Sequence, residues 1–250
     1  MSKHKAFKNI TETSADFYVY GDIVDEKYPD WFTGEISATE VDVADVRAEL
    51  EELKGIKDLN IYINSGGGSV FASSTMVSLL RRFKQTTGAK IHSYIDGLCA
   101  SAATYLAMVA DDINVYQNSI MMIHKPMTIS MGNADDLQKD IDTLDTIEND
   151  MMIPLYMNKS KVSENEIKDL IAGETWFGGN PSRKDFIGNY FNINYLDEAK
   201  QVTASASKMF RNYKHIPDVL KKPEQPKADE VQKIDYSSFE NRLSSLKKGA

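Results

Sequence analysis

The 250-residue chain contains a single cysteine, Cys99, so no disulfide can form within it, which suits a reducing compartment. It has no excess of positive charge. Twenty-nine Lys and Arg stand against 37 Asp and Glu, for a formal net charge of -8. That balance argues against a general nucleic-acid binder and provides no attraction to an anionic membrane. No apolar run approaches the ~20 residues that span a bilayer, and the opening MSKHKAFKNITETSADFYVYG lacks the apolar core of a signal peptide. No Gly-Lys pair occurs, which excludes a GxxxxGK[ST] phosphate loop. A GxGxxG fingerprint and the GxSxG elbow of the α/β-hydrolases are also missing. These absences lead to the expectation of a soluble, cytoplasmic protein with no membrane or nucleic-acid partner, no cofactor and no metal.

Hydrophobic residues make up 42% of the chain, enough for a sizeable core. Phe17 to Gly21 reads as a strand closed by glycine. Apolar residues at helical spacing mark a helix over Val43 to Leu53, and Asn60 to Asn64 reads as a strand. A helix over Val70 to Phe83, a strand over Lys90 to Ile95 and a helix over Ala100 to Ala110 come next. Two short strands are expected over Asp112 to Tyr116 and Ser119 to Ile123. The order αβαβαββ predicts an α/β fold with a largely parallel sheet. Asn133 to Met157 reads as one long helix, with Leu137, Ile141, Leu144, Ile147 and Met151 recurring every three or four residues. Ser163 and Glu166 form a capping-box pattern that opens a short helix ending at Ile171. Beyond about residue 202 the chain becomes charged and proline-bearing, with one weak amphipathic pattern at its end. Three regions are expected: a flexible start over 1–16, one domain over 17–201 and a tail over 202–250.

Three stretches could carry chemistry. Ser65-Gly66-Gly67-Gly68-Ser69 ends a strand with glycines whose N–H groups can approach a ligand closely and cradle an oxyanion. A tight turn is the plainer explanation. Gly97-Leu98-Cys99-Ala100-Ser101-Ala102-Ala103 sets one hydroxyl among small residues at a strand-to-helix junction. That arrangement suits either close packing or a nucleophile that a substrate must reach. His124 comes after the apolar run Ile120 to Ile123, where a general base can reach a neighbouring loop. Cys99 is a rival nucleophile, although a small buried hydrophobe is its commoner role. His4, His92 and His215 carry no such context.

Taken together, INSGGGSV (63–70), GLCASAATYLAMVA (97–110) and MMIHKP (121–126) resemble, in order and spacing, the successive signatures of the Clp protease proteolytic subunit (ClpP) family. The resemblance implies a crotonase-like superhelix of repeated ββα units with a long handle helix, for which Asn133 to Met157 is placed. It implies a serine endopeptidase with Ser101 as nucleophile and His124 as general base. Gly67 or Gly68, together with Ala102, would supply the oxyanion-hole N–H groups. Met127 to Gly132 falls where the family binds substrate as a strand. The family's aspartate is replaced here: Glu174-Thr175-Trp176 aligns with its Asp-Asn-Phe, which makes Glu174 the orienting carboxylate, with Asp169 and Asp185 as alternatives. Gly66 replaces a proline, GGNPSRKD looks inserted, and residues 1 to about 16 lack a match to the family's axial gate.

The resemblance also implies a homo-oligomeric ring, a heptamer or stacked pair of heptamers, acting on polypeptide substrates. Glu-Thr-Trp, the unmatched start and the extra tail point to a phage or prophage branch resembling head-maturation proteases that cut capsid or scaffold proteins. Three alternatives remain. A housekeeping subunit would need a separate AAA+ unfoldase. A non-catalytic assembly module would not need Ser101 and His124. A crotonase-type acyl-CoA enzyme would share the fold but not this pair.

Overall fold

The computed structural model describes residues 6–29, 33–37, 39–196 and 215. The chain divides into two compact units, residues 1–216 and 217–250, and every described residue belongs to the first. The tail and its amphipathic end therefore lie outside the described residues, apart from His215.

Alternating apolar residues build the sheet. Strands β1 (Phe7–Lys8) and β2 (Ser14–Tyr20) are antiparallel. The next two, β3 (Ile23–Val24) and β4 (Val41–Asp42), make a separate two-stranded sheet. Helix α1 (Val43–Glu52) comes next, its first turn capped by the Asp42 carboxylate, which accepts from the Asp45 N–H. Strand β5 (Asp58–Ser65) runs parallel to β2 and buries Leu59, Ile61 and Ile63 on one face. Helix α2 (Val70–Thr87) is opened by the Ser69 side chain and closed by Gly88 in the left-handed conformation. Its Met76, Val77, Leu80 and Phe83 pack into the core.

Strand β6 (Lys90–Ala100) is the hub of the sheet. One edge pairs with β5. The other pairs first with β7 (Asp112–Tyr116), over His92 to Ile95, and then with β8 (Ile120–Ile123), over Leu98 to Ala100. The changeover lies at Asp96 and Gly97: β5 advances two residues from Ile63 to Ser65 while β6 advances four, from Ile95 to Cys99. Asn64 stabilises the bend, its side-chain oxygen accepting from the Leu98 N–H at 3.2 Å. Because β6 runs to Ala100, the next helix, α3 (Ala103–Met108), starts three residues later than expected. Cys99 and Ala100 are therefore strand residues, set between β5 and β8.

The expected long helix is interrupted. Helix α4 (Ala134–Thr146) leads into a π-helical turn over Ile147–Met152 and then α5 (Ile153–Met157). Pro154 explains the break. It has no N–H, and its ring crowds the preceding turn, so the Ile153 N–H reaches back five residues to the Glu148 carbonyl. No residue of α4 is buried. Helix α6 (Glu164–Ala172) opens as expected, with the Ser163 side chain accepting from the Glu166 N–H. Strand β9 (Thr175–Gly178) then returns antiparallel to β8. Helix α7 (Ile187–Tyr190) comes after it, and β10 (Asn194–Leu196) closes on β7.

The result is a mixed α/β fold with an eight-stranded, largely parallel sheet. Packing begins earlier than the expected boundary at Phe17. Phe7 is buried and stacks on Phe17 at 4.7 Å, while Glu49 accepts from the backbone N–H groups of Ala6 and Phe7. Among the described residues no helix is long and apolar enough to cross a membrane.

The GGNPSRKD stretch holds a testable detail. A Cβ on Gly179 would lie 1.9 Å from the Tyr116 carbonyl oxygen, inside the turn that joins β7 to β8. Gly179→Ala is expected to destabilise the protein by about 1–3 kcal/mol through overpacking, read as a lower urea midpoint at unchanged slope.

Candidate active site

Parallel neighbours release their chains at the same end, and β6 and β8 do so side by side. Ala100 is opposite Met122, and the next residue, Ser101, donates its N–H to the Met122 carbonyl at 2.9 Å. His124 is the first residue beyond β8. The Ser101 Oγ and His124 Nε2 consequently meet at 2.7 Å.

Ser101 has φ +53, the left-handed region that a residue with a side chain occupies only when its surroundings enforce it. Here they do. Its N–H is held by Met122, and its carbonyl accepts from both the N–H and the hydroxyl of Thr104. The Thr104 hydroxyl is in turn 2.7 Å from the hydroxyl of the buried Tyr156 on α5. Gly67 closes the other side. A Cβ there would come within 2.8 Å of the Ser101 Cβ, so only glycine lets the two loops approach this closely.

The antiparallel pairing of β8 with β9 brings in the carboxylate. Ile123 is opposite Thr175, so one further step along the register sets His124 opposite Glu174. Glu174 is 8% exposed and also has a positive φ, +48. Among the described non-glycine residues, only Asn9, Ser101 and Glu174 have positive φ. Burial pushes His124 below the usual histidine value, and the nearby charge of Glu174 partly opposes that shift. A neutral imidazole at pH 7 follows from the net direction.

The alternatives fare differently. Asp185 is engaged by Arg183, which holds its carboxyl below the usual range, and Asp169 is exposed on α6. Cys99 is fully buried between β5 and β8, and burial drives its thiol far above the ordinary value. A thiolate is strongly disfavoured there. His92 lies between Asp58 and Asp112, away from the cleft. Among the described residues no three His, Cys, Asp or Glu side chains are grouped to hold a metal.

In front of Ser101 lies a cavity of about 50 Å³, lined among others by Gly68, Ala102, His124, Met127 and Met152. Of the expected oxyanion donors, Gly68 and Ala102 face this space. The Gly67 N–H instead donates to the Ser65 Oγ at 3.0 Å. The Ser65 hydroxyl folds back to brace the turn, donating to the Gly21 carbonyl while accepting from Gly67. Nothing in the sequence separated Gly67 from Gly68. Also missed were Thr104 and Tyr156 behind Ser101, and the contact of His215 with Glu174. The stretch Met127 to Gly132 forms no strand within the chain. It runs exposed, with Ile129 and Met131 fully open to solvent.

Comparison with known proteins gives the family. The Clp protease family matches residues 35–184. The ATP-dependent Clp protease proteolytic subunit 1 of Prochlorococcus marinus (strain MIT 9312) is 27% identical over 136 residues, covering 46% of this chain and 68% of the relative. The ATP-dependent Clp protease proteolytic subunit 2 of Synechococcus sp. (strain CC9605) is 31% identical over 90 residues, covering 35% of this chain and 44% of the relative. The family match takes in more than half of the sequence and contains both Ser101 and His124, and this chain belongs to the Clp protease family of serine peptidases.

Proposed function

We propose that the protein hydrolyses peptide bonds with Ser101 as nucleophile, His124 as general base and acid, and Glu174 as the carboxylate that orients His124. The observation that carries this reading is the 2.7 Å hydrogen bond between Ser101 Oγ and His124 Nε2 at the edge of the cleft. The Ser101 proton passes to Nε2 as Oγ attacks the peptide carbonyl carbon. The N–H groups of Gly68 and Ala102 receive the developing oxyanion. Protonated His124 then gives its proton to the leaving amine, and an acyl-Ser101 ester remains. Water, deprotonated by His124, releases the acid and restores the serine. Glu174 holds the Nδ1 proton and favours the imidazolium that forms at each transfer.

The exposed stretch 127–132 supports strand-like substrate binding, since its backbone can pair with an extended peptide beside the cleft. The unburied α4 and the exposed Leu137, Ile141, Ile129 and Met131 support a ring-shaped homo-oligomer that covers them, with α4 to α5 as the handle of the superhelical fold. We assign the chain to the phage or prophage branch, acting on capsid or scaffold proteins. Glu174-Thr175-Trp176 and the tail beyond residue 202 support that assignment. A second reading, a subunit fed by an AAA+ unfoldase, is favoured by the names of the curated relatives, which are ATP-dependent proteolytic subunits. Degradation of a folded substrate only when an unfoldase and ATP are supplied would select the second reading.

A fluorophosphonate probe tests the nucleophile. Wild type should label, Ser101→Ala and His124→Ala should not, and Glu174→Gln should label slowly. Peptidase kcat/KM in Glu174→Gln should fall roughly 10³–10⁴-fold. Absence of labelling in an assembled wild-type protein would point to a non-catalytic assembly role.

The pH profile gives a separate check. The base must be neutral, and its pKa is lowered from 6.5, so kcat/KM should rise along an acid limb centred below pH 6.5. Glu174→Gln removes the charge that opposes the lowering. The midpoint should then move to still lower pH while the plateau falls. A limb centred above 6.5 would mean that the Glu174 charge outweighs burial at His124.

A further inference from the structure

The orienting carboxylate is itself oriented, and by a residue from outside the region matched to the family. The His215 backbone N–H donates to Glu174 Oε1 at 2.5 Å. The Trp176 indole N–H lies 3.5 Å from the same oxygen, and His215 Nδ1 is 4.0 Å from it. The family match ends at residue 184, well before His215.

We propose that the His215 backbone N–H is a positioning group of the active site, anchoring one oxygen of Glu174 so that the carboxylate faces His124. The proposal rests on the reading of Glu174 as the third triad member. Its physical basis is the side chain that replaced aspartate. Glutamate has one more rotatable bond, so a buried Glu174 can satisfy its charge in several orientations, only some of which serve an imidazole. Two donors on Oε1 fix the carboxylate plane and thereby the direction of the second oxygen. Hydrogen bonds to an ionised acceptor are stronger than neutral ones, and a backbone donor carries no side-chain freedom of its own. The His215 side chain is largely exposed and adds a charge only when protonated. The backbone N–H is therefore the group that acts.

The experiment compares His215→Pro, which removes the N–H, with His215→Ala, which keeps it, each in wild-type and Glu174→Gln backgrounds of the full chain. Steady-state peptidase assays give kcat, KM and the pH profile. The proposal expects kcat of the proline variant to lie about tenfold below that of the alanine variant, with KM within about twofold. It also expects the acid limb of the proline variant to move to lower pH, as a carboxylate that no longer faces His124 ceases to raise its pKa. In the Glu174→Gln background the proline and alanine variants should coincide, since no carboxylate is left to be held toward His124. Equal kcat for both variants in the wild-type background overturns the proposal. So does an equal proline deficit in both backgrounds, which would mark a general structural effect. If Glu174→Gln alone matches wild type, it is the triad reading of Glu174 that fails, and the anchor fails with it. Should proline prevent folding, the same comparison is made with the α-hydroxy analogue of alanine at 215, which replaces the N–H by oxygen without constraining φ.

Discussion

The site depends on the change of partner along β6. A parallel strand long enough to serve two neighbours must let go of one before it takes the other, and here it does so at Asp96 and Gly97. Without that bend, β8 would have no edge to pair with, and Ser101 and His124 would leave the sheet apart. With it, the two side chains emerge next to each other at the carboxyl ends of adjacent strands, where open α/β sheets place their ligands. The antiparallel return of β9 then brings Glu174 opposite His124 by register. Three residues distant in sequence are aligned by two hydrogen-bonded ladders.

Alignment of this kind uses backbone conformations that the chain would not adopt freely. Ser101 and Glu174 both sit in the left-handed region, at a cost of about 1–3 kcal/mol each. Strain persists only where the surroundings over-determine it. Behind Ser101, the Met122 carbonyl, Thr104 and Tyr156 form a chain of polar contacts that reaches α5. The glycine turn is braced from Ser65 and from Ile23, whose N–H donates to the Gly67 carbonyl. His124 adds the electrostatic half. Its burial favours the neutral imidazole, and the nearby charge of Glu174 partly opposes that shift.

Much of this was legible in the sequence because it is local. Strand alternation in Asn60 to Asn64, helical spacing in Val70 to Phe83 and the small residues around Ser101 each report their own surroundings. The three motifs in order sufficed to pair Ser101 with His124. The features that escaped depend on partners far along the chain. Ala100 reads as a helix start until Met122 is seen opposite it. Phe7 reads as part of a loose lead until Phe17 is seen beneath it. Thr175 to Gly178 is too short to announce a strand, although its pairing with β8 delivers Glu174. The break in the long helix is the exception, since Pro154 stood in the sequence and its missing N–H accounts for the π turn.

Cys99 has a use that comes from its position. It lies on β6 two residues before Ser101, fully enclosed and with its thiolate strongly disfavoured. A thiol in that state reacts with an alkylating reagent only when the strand around it opens. Because no other cysteine competes, the modification rate is a clock for separation of β6 from β5 and β8. Reagents aimed at hydroxyls would meet the folded enzyme and reagents aimed at thiols the opened one, so a single chain carries separate reporters of its working and its opened states.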